Sequence, residues 1–148
     1  MALTVFNTLG NRKEAFVPVS PGKVRVYVCG VTVYDSPHIG HARCYVAFDA
    51  IHRHFRSKGW KVAYVRNFTD IDDKIIKRAG ETGQDWRELT KDNIAAFTRA
   101  MEALKVLPAT QEPRATEHIQ GIIDSVQKLI DKGHAYPLEG GDVLFAEG

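Results

Sequence analysis

Only two cysteines, Cys29 and Cys44, occur among the 148 residues. That is too few for a disulfide framework, so both are expected as free thiols or metal ligands in a reducing compartment. No apolar run approaches the roughly 18 to 20 residues that span a bilayer. The opening MALTVFNTLGNRKEAF also lacks a signal-peptide layout. A cytoplasmic protein with no membrane partner is therefore expected. Neither sign of charge dominates: 20 Lys and Arg stand against 18 Asp and Glu, for a net charge of +2. This permits contact with RNA without arguing for it, and the basic residues form no dense tract interleaved with aromatics. Repeats and low-complexity segments are absent. With 44% hydrophobic and 26% charged residues, the composition gives no indication of disorder, and the length suits one ordinary domain.

The informative stretch is Val24 to Arg43, VRVYVCGVTVYDSPHIGHAR. Its β-branched apolar run, Val24 to Val28, predicts a buried strand that stops at Cys29-Gly30. A turn-rich passage with Asp35, Ser36 and Pro37 follows, and then His38-Ile39-Gly40-His41 opens a helix running through Phe55. In open α/β sheets the place where a strand ends and a helix begins is the ligand crevice. A helix N-terminus favours phosphate through its free N–H groups and dipole, and Gly40 lets a ligand approach the backbone. A nucleotide is the first ligand to consider.

The rest of the chain is consistent with an α/β unit. Leu3 to Leu9 and Ala15 to Val19 predict a hairpin at the sheet edge around Gly10-Asn11. The first helix carries Cys44, Ala47, Phe48, Ile51 and Phe55 as its expected buried stripe, and Gly59 ends it. Trp60 to Val65 predicts a second strand, so Val24 to Val65 is a β-α-β unit with parallel strands. Asn67 to Asp70 then lies on the same rim as Cys29. A short helix over Ile71 to Ala79 follows. Next comes a longer helix from Asp85, with Glu88 completing a capping box and a stripe of Trp86, Leu89, Ala96, Phe97, Met101 and Leu104. After Pro108 and Pro113, Thr116 is expected to cap a helix with Ile119, Ile122, Ile123, Val126, Leu129 and Ile130 at helical spacing. Two strands, His134 to Pro137 and Asp142 to Ala146, close the sequence.

The tetrapeptide His38-Ile39-Gly40-His41 at a strand-to-helix junction resembles the HIGH signature of class I aminoacyl-tRNA synthetases. The surrounding blocks narrow the resemblance: YVCGVTVYDSPHIGHAR (Tyr27 to Arg43), YVRNFTDIDDKIIKRA (Tyr64 to Ala79), EPRAT (Glu112 to Thr116), KGHAY and GDVLF. Together, from about Phe6 onward, they are similar to the amino-terminal part of the cysteinyl-tRNA synthetase family. The resemblance implies a Rossmann-like, HUP-type parallel sheet. Residues 1–108 would form the N-terminal half of its nucleotide-binding domain, and residues 109–148 a helix and hairpin leading into a truncated inserted connective-peptide domain. It further implies activation of cysteine with ATP and Mg2+ to cysteinyl-adenylate and transfer to tRNA(Cys), by a monomer.

Site residues follow from the same likeness. His38 and His41 would be catalytic, stabilising the pentavalent phosphate while the cysteine carboxylate attacks the α-phosphate of ATP. Neither need act as a base, because that carboxylate is already ionised at neutral pH. His38, Gly40 and His41 would bind ATP, and Gly30, Thr32 and Thr69 would bind cysteine. In the family the cysteine matching Cys29 is one of four zinc ligands, and the Zn2+ takes the substrate thiol. Zinc on thiolate separates cysteine from serine, whereas an apolar pocket separates such near-isosteres by only about 1 to 3 kcal/mol.

Plainer readings stand beside these. A cysteine after an apolar strand is most often a packed small hydrophobe, and Cys44 is read as core. His38 and His41 could simply cap a helix. Asp70, Asp72 and Asp73 read as helix-capping and dipole-compensating groups rather than a metal site, and Lys74, Lys77 and Arg78 as a solvated face. His118 is left undecided between facing the site and capping its own turn. The family's other zinc ligands and its KMSKS loop are not among these residues, so the chain is expected to be a fragment inactive alone. Alternatives are a cysteine:amino-sugar ligase using the same adenylate and a non-catalytic nucleotide-binding module.

Overall fold

The computed structural model describes residues 3–146, so the outermost bounds of the two expected segments, residues 1 and 148, lie outside the described residues. Strands β1 (Thr4–Asn7) and β2 (Arg12–Ala15) form an antiparallel hairpin whose turn carries Asn11 at φ 49. The hairpin was expected. However, it makes a two-stranded sheet of its own rather than an edge of the main one, and its second strand ends at Ala15, where the expected strand began.

The organising unit is β3 (Lys23–Thr32), helix α1 (Ile39–Ser57) and β4 (Lys61–Thr69), with β3 and β4 paired in parallel. Gly59, at φ 76, turns the chain from α1 into β4. The far edge of β4 is lined by residues 110–114: Arg66 N–H donates to the Gln111 carbonyl at 3.1 Å and Phe68 N–H to the Pro113 carbonyl at 2.9 Å. α2 (Asp73–Thr82) and α3 (Trp86–Ala103) follow β4, each capped at its start by a carboxylate, Asp72 on Lys74 N–H and Asp85 on Arg87 N–H. A 3-10 turn over Ala115–His118 leads into α4 (Ile119–Asp131), and β5 (Ala135–Pro137) pairs antiparallel with β6 (Val143–Phe145).

One face of the β3–β4 sheet is covered by α1, α2 and α3. Its core joins Val28, Val31 and Val33 to Tyr45, Tyr64, Phe68, Ile75, Leu89, Phe97 and Met101. Phe97, 1% exposed, touches the rings of both Tyr45 and Phe68 edge-on, and truncating such a ring to alanine costs about 3–5 kcal/mol.

Expectations about two helix faces and one helix cap are corrected. On α1 the buried residues are Tyr45, His52 and Phe55, whereas Cys44 and Ile51 are exposed. Cys44 is therefore not core. Phe55 is buried and Phe48 packs against the core as expected, and the departure comes from polar aromatic rings that an apolar count leaves out: His52 stacks on Tyr64 at 5.1 Å and Tyr45 meets Phe97 at 5.2 Å. On α3, Thr90 and Asn93 are buried and Leu104, at the C-cap, is exposed. Asn93 is satisfied there by donating to the Val33 carbonyl at 3.1 Å. Thr116 does not cap its helix. Its hydroxyl instead donates to Asp70 at 2.6 Å. α4 is amphipathic as expected, but among the described residues its Ile119, Ile122 and Ile123 remain exposed.

Candidate active site

Parallel pairing brings the carboxyl ends of β3 and β4 to one rim, and there β3 holds one residue more than β4. Val28 pairs with Arg66 and Val31 with Phe68, so Cys29 and Gly30 together face Asn67 in a bulge. A Cβ on Gly30 would overlap the Asn67 carbonyl, so only glycine permits the strands to approach this closely. The Gly30 N–H donates to the Asn67 side-chain oxygen at 2.7 Å, and the Tyr45 hydroxyl donates to the Cys29 carbonyl at 3.3 Å. Beyond the bulge Val31 and Val33 return to the core, while Cys29 is left exposed with a free thiol.

Helix α1 begins on the same rim. His38 is its N-cap, in extended backbone at φ −126 and ψ 176, and its Nδ1 accepts from Gly40 N–H at 3.1 Å. His41 closes the reciprocal half of a capping box, its Nδ1 accepting from His38 N–H at 3.2 Å. A Cβ on Gly40 would lie 2.8 Å from His38 Cε1, so a larger residue there would have to displace the capping ring. The two rings stack with centroids 4.0 Å apart.

Since each Nδ1 accepts, the hydrogen-bond network assigns the neutral tautomer with hydrogen on Nε2 to both rings. Burial, and secondarily the neighbouring His38, pull the His41 pKa below its ordinary value and favour that neutral form. Capping and ligand binding are thus not exclusive, for capping occupies one nitrogen of each ring and leaves both Nε2–H donors free for an anion at the start of α1.

Thr32 and Thr69 are directly paired at the end of the sheet. The Thr69 carbonyl accepts from Val33 N–H at 3.2 Å, and its hydroxyl oxygen lies 3.4 Å from the Asn67 amide nitrogen, which donates to it. The carboxylate cluster serves structure: Asp70 is buried and accepts from Thr116 N–H and hydroxyl, while Asp72 caps α2. Lys74 and Lys77 are exposed, with Lys74 over the Tyr34 ring at 5.9 Å, and Arg78 reaches Asp35 at 3.6 Å. His118 is exposed and makes no side-chain cap for α4; it lines a shallow hollow with Tyr27, Asn67 and Arg114. Among the described residues no group of three His, Cys, Asp or Glu could hold a metal ion. The donors around Cys29 therefore do not fit a closed zinc site, which takes four.

Four contributors escaped sequence reasoning: Tyr45, Arg66, Asn67 as a strut, and Glu112. The Arg66 guanidinium is buried 4.9 Å from the Tyr45 ring centre and 4.8 Å from that of Phe97, and it pairs with Glu112. Burial pushes the Tyr45 hydroxyl up to about 12, against the pull of Arg66, so it stays a donor across the ordinary pH range. The signal available was the alternation Tyr64, Arg66, Phe68, which puts Arg66 on the inward face of β4, where a buried cation needs a carboxylate and aromatic faces from other elements.

Comparison with known proteins agrees with this geometry. The family model described as tRNA synthetases class I (C) catalytic domain matches residues 15–148. The cysteine–tRNA ligase of Magnetococcus marinus is 57% identical over 146 residues, covering 99% of this chain, and that of Thermococcus gammatolerans is 55% identical over 147 residues. The chain spans 30% of the length of each. Among solved structures, Mycobacterium tuberculosis methionyl-tRNA synthetase in complex with methionyl-adenylate superposes with a TM-score of 0.67 at 27% identity, over 76% of this chain and 23% of that one. The Agrobacterium radiobacter leucyl-tRNA synthetase ternary complex shares the fold, with a TM-score of 0.68 at 24% identity over 81% of this chain and 16% of its own. The parallel strands, the bulged cysteine and the histidine-capped helix are thus those of a chain that belongs to the cysteine-type class I tRNA synthetase catalytic domain family.

Proposed function

We propose that this chain is the amino-terminal portion of a cysteine–tRNA ligase, which activates cysteine with ATP and passes it to tRNA(Cys). The observation that carries the reading is the paired imidazoles of His38 and His41, each fixed through Nδ1 with its Nε2–H free at the start of α1. The names of the relatives favour a tRNA acceptor over an amino sugar and a catalytic protein over a binding module.

In this reading a cysteine carboxylate oxygen attacks the α-phosphate of ATP, the bond to the bridging oxygen breaks, and pyrophosphate leaves with Mg2+. Charge grows on the non-bridging oxygens as the phosphorus becomes five-coordinate. His38 and His41 meet it with Nε2–H donors already oriented, so little reorganisation accompanies the step. Gly40 keeps the backbone open beneath the nucleotide, and the hydroxyls of Thr32 and Thr69 hold the amino acid with Gly30 at the bulge. The adenylate carbonyl is then attacked by a ribose hydroxyl of the tRNA, and AMP leaves.

Cys29 presents its thiol towards the amino acid. One thiolate does not hold zinc, so a metal there needs donors from outside these residues. Residues 1–108 supply the nucleotide-binding half, residues 109–148 lead into the inserted domain, and the protein is a cytoplasmic monomer. No helix among the described residues is long and apolar enough to cross a membrane.

The test is ATP–pyrophosphate exchange with the full-length protein. Exchange dependent on cysteine, and not supported by serine, is expected, and these 148 residues by themselves should show none. Exchange that ignores the amino acid supplied would refute the assignment.

A further inference from the structure

Tyr45 links the two halves of the rim through one hydroxyl. It lies one helical turn beyond His41 on α1, is 3% exposed, and donates to the Cys29 carbonyl at 3.3 Å. Cys29 and Gly30 are absent from the β3–β4 register, so the bulge forfeits ladder pairing where the thiol must be held steady. The peptide group between them is gripped from both ends. The Tyr45 hydroxyl takes its oxygen, and the Asn67 side-chain oxygen takes its N–H at 2.7 Å. The ring of Tyr45 cannot drift, because Phe97 meets it edge-on at 5.2 Å and the Arg66 guanidinium stacks on it at 4.9 Å. Arg66 is in turn paired with Glu112. A rigid arm therefore runs from the 110–114 segment through Arg66 and Tyr45 to Cys29, rooted in the same helix that presents His38 and His41.

We propose that Tyr45 is a positioning residue that sets the Cys29 backbone at a fixed place relative to His38 and His41, so that the amino acid met by the thiol lies in register with the phosphate met by the imidazoles. This rests on the reading of the site as one for cysteine and ATP. Tyr45 touches neither ligand and acts only through Cys29. The helix start keeps its own cap when the hydroxyl is lost, so ATP recognition is spared.

The test is Tyr45→Phe, which keeps the ring and removes only the hydroxyl, in the full-length protein. A buried hydrogen bond of ordinary strength, at about 1 kcal/mol, corresponds to roughly a fivefold effect. Amide hydrogen exchange at Gly30, whose N–H shares the peptide with the Cys29 carbonyl, should quicken about fivefold. In cysteine-dependent ATP–pyrophosphate exchange the KM for cysteine should rise by about the same factor while the KM for ATP stays within twofold. Phe97→Leu, which loosens the same packing but keeps the hydroxyl, should raise both KM values together. Unchanged Gly30 exchange in Tyr45→Phe, or equal changes in its two KM values, overturns the proposal. If the unsubstituted protein shows no cysteine-dependent exchange, the functional reading fails instead, and the Gly30 amide alone judges the anchoring.

Discussion

The amide of Gly30 lies 2.7 Å from the side-chain oxygen of Asn67, and the backbone carbonyl of that same asparagine fills the space a Gly30 Cβ would need. Gly30→Ala therefore has to force β3 and β4 apart at the bulge. Rigid backbone on one side leaves little room for relaxation, so a loss of about 3 kcal/mol is expected. Urea denaturation of the substituted chain measures it, and a change below about 0.5 kcal/mol, the range of ordinary surface substitutions, would mean the strands do not approach this closely.

The two nitrogens of His38 can be separated by substitution. Asparagine is as good an N-cap as any residue, so His38→Asn keeps an acceptor for Gly40 N–H while removing the Nε2–H donor. Thermal stability should hold, and cysteine-dependent exchange in the full-length protein should fall about 100-fold, as for loss of one oriented donor to a developing oxyanion. His38→Ala should show the same catalytic loss together with about 1 kcal/mol of lost stability. Equal activity in the asparagine variant and the original protein would show that His38 only caps.

Asp70 and Thr116 are joined by two hydrogen bonds, at 3.0 Å from the Thr116 amide and 2.6 Å from its hydroxyl. They fasten the 3-10 turn to the end of β4, beside Thr69. Thr116→Val removes the hydroxyl donor and leaves the carboxylate with the amide alone. A loss of about 1.5–3 kcal/mol is expected for a bond to a charged group. Chemical denaturation gives the cost, which Thr116→Ser, retaining the hydroxyl, should largely avoid.

Two imidazoles make the fold sensitive to acid. His41 and His52 both have pKa values held below the ordinary value, chiefly by burial, and His52 Nδ1 has no hydrogen-bond partner among the described residues. The unfolded chain takes up these protons near pH 6.5, whereas the folded chain resists them until lower pH. Stability is therefore full above about pH 6.5 and declines as pH falls through the folded values. Melting curves between pH 7.5 and 5.5 should show the decline, and His52→Phe, which keeps a ring against Tyr64, should make it shallower. A melting temperature that rises as pH is lowered would reverse the sign.

Much of this was legible because punctuation and periodicity agree. Val24 to Val28 is a β-branched run, Gly59 breaks the following helix, and Trp60 to Val65 resumes the strand pattern, so the β-α-β unit and its rim follow from local signals. The bulge at Cys29-Gly30 was not legible, since it depends on what lies across the sheet at Asn67. On α1 apolar periodicity finds Phe48 and Phe55 but points to Cys44 where Tyr45 is buried, because it ignores a guanidinium sandwiched between rings. Thr116 looked like a helix cap because capping is local, whereas its partner, Asp70, is 46 residues away.

On the proposed function the Cys29 thiol and the His38 and His41 imidazoles serve one ligand. In the full-length protein, a non-hydrolysable cysteinyl-adenylate analogue should slow iodoacetamide alkylation of Cys29 at least tenfold, a contrast of about 1.4 kcal/mol. A His38→Asn, His41→Asn double substitution should abolish that protection. Protection that survives the double substitution, or alkylation that the analogue never slows, would contradict a shared site.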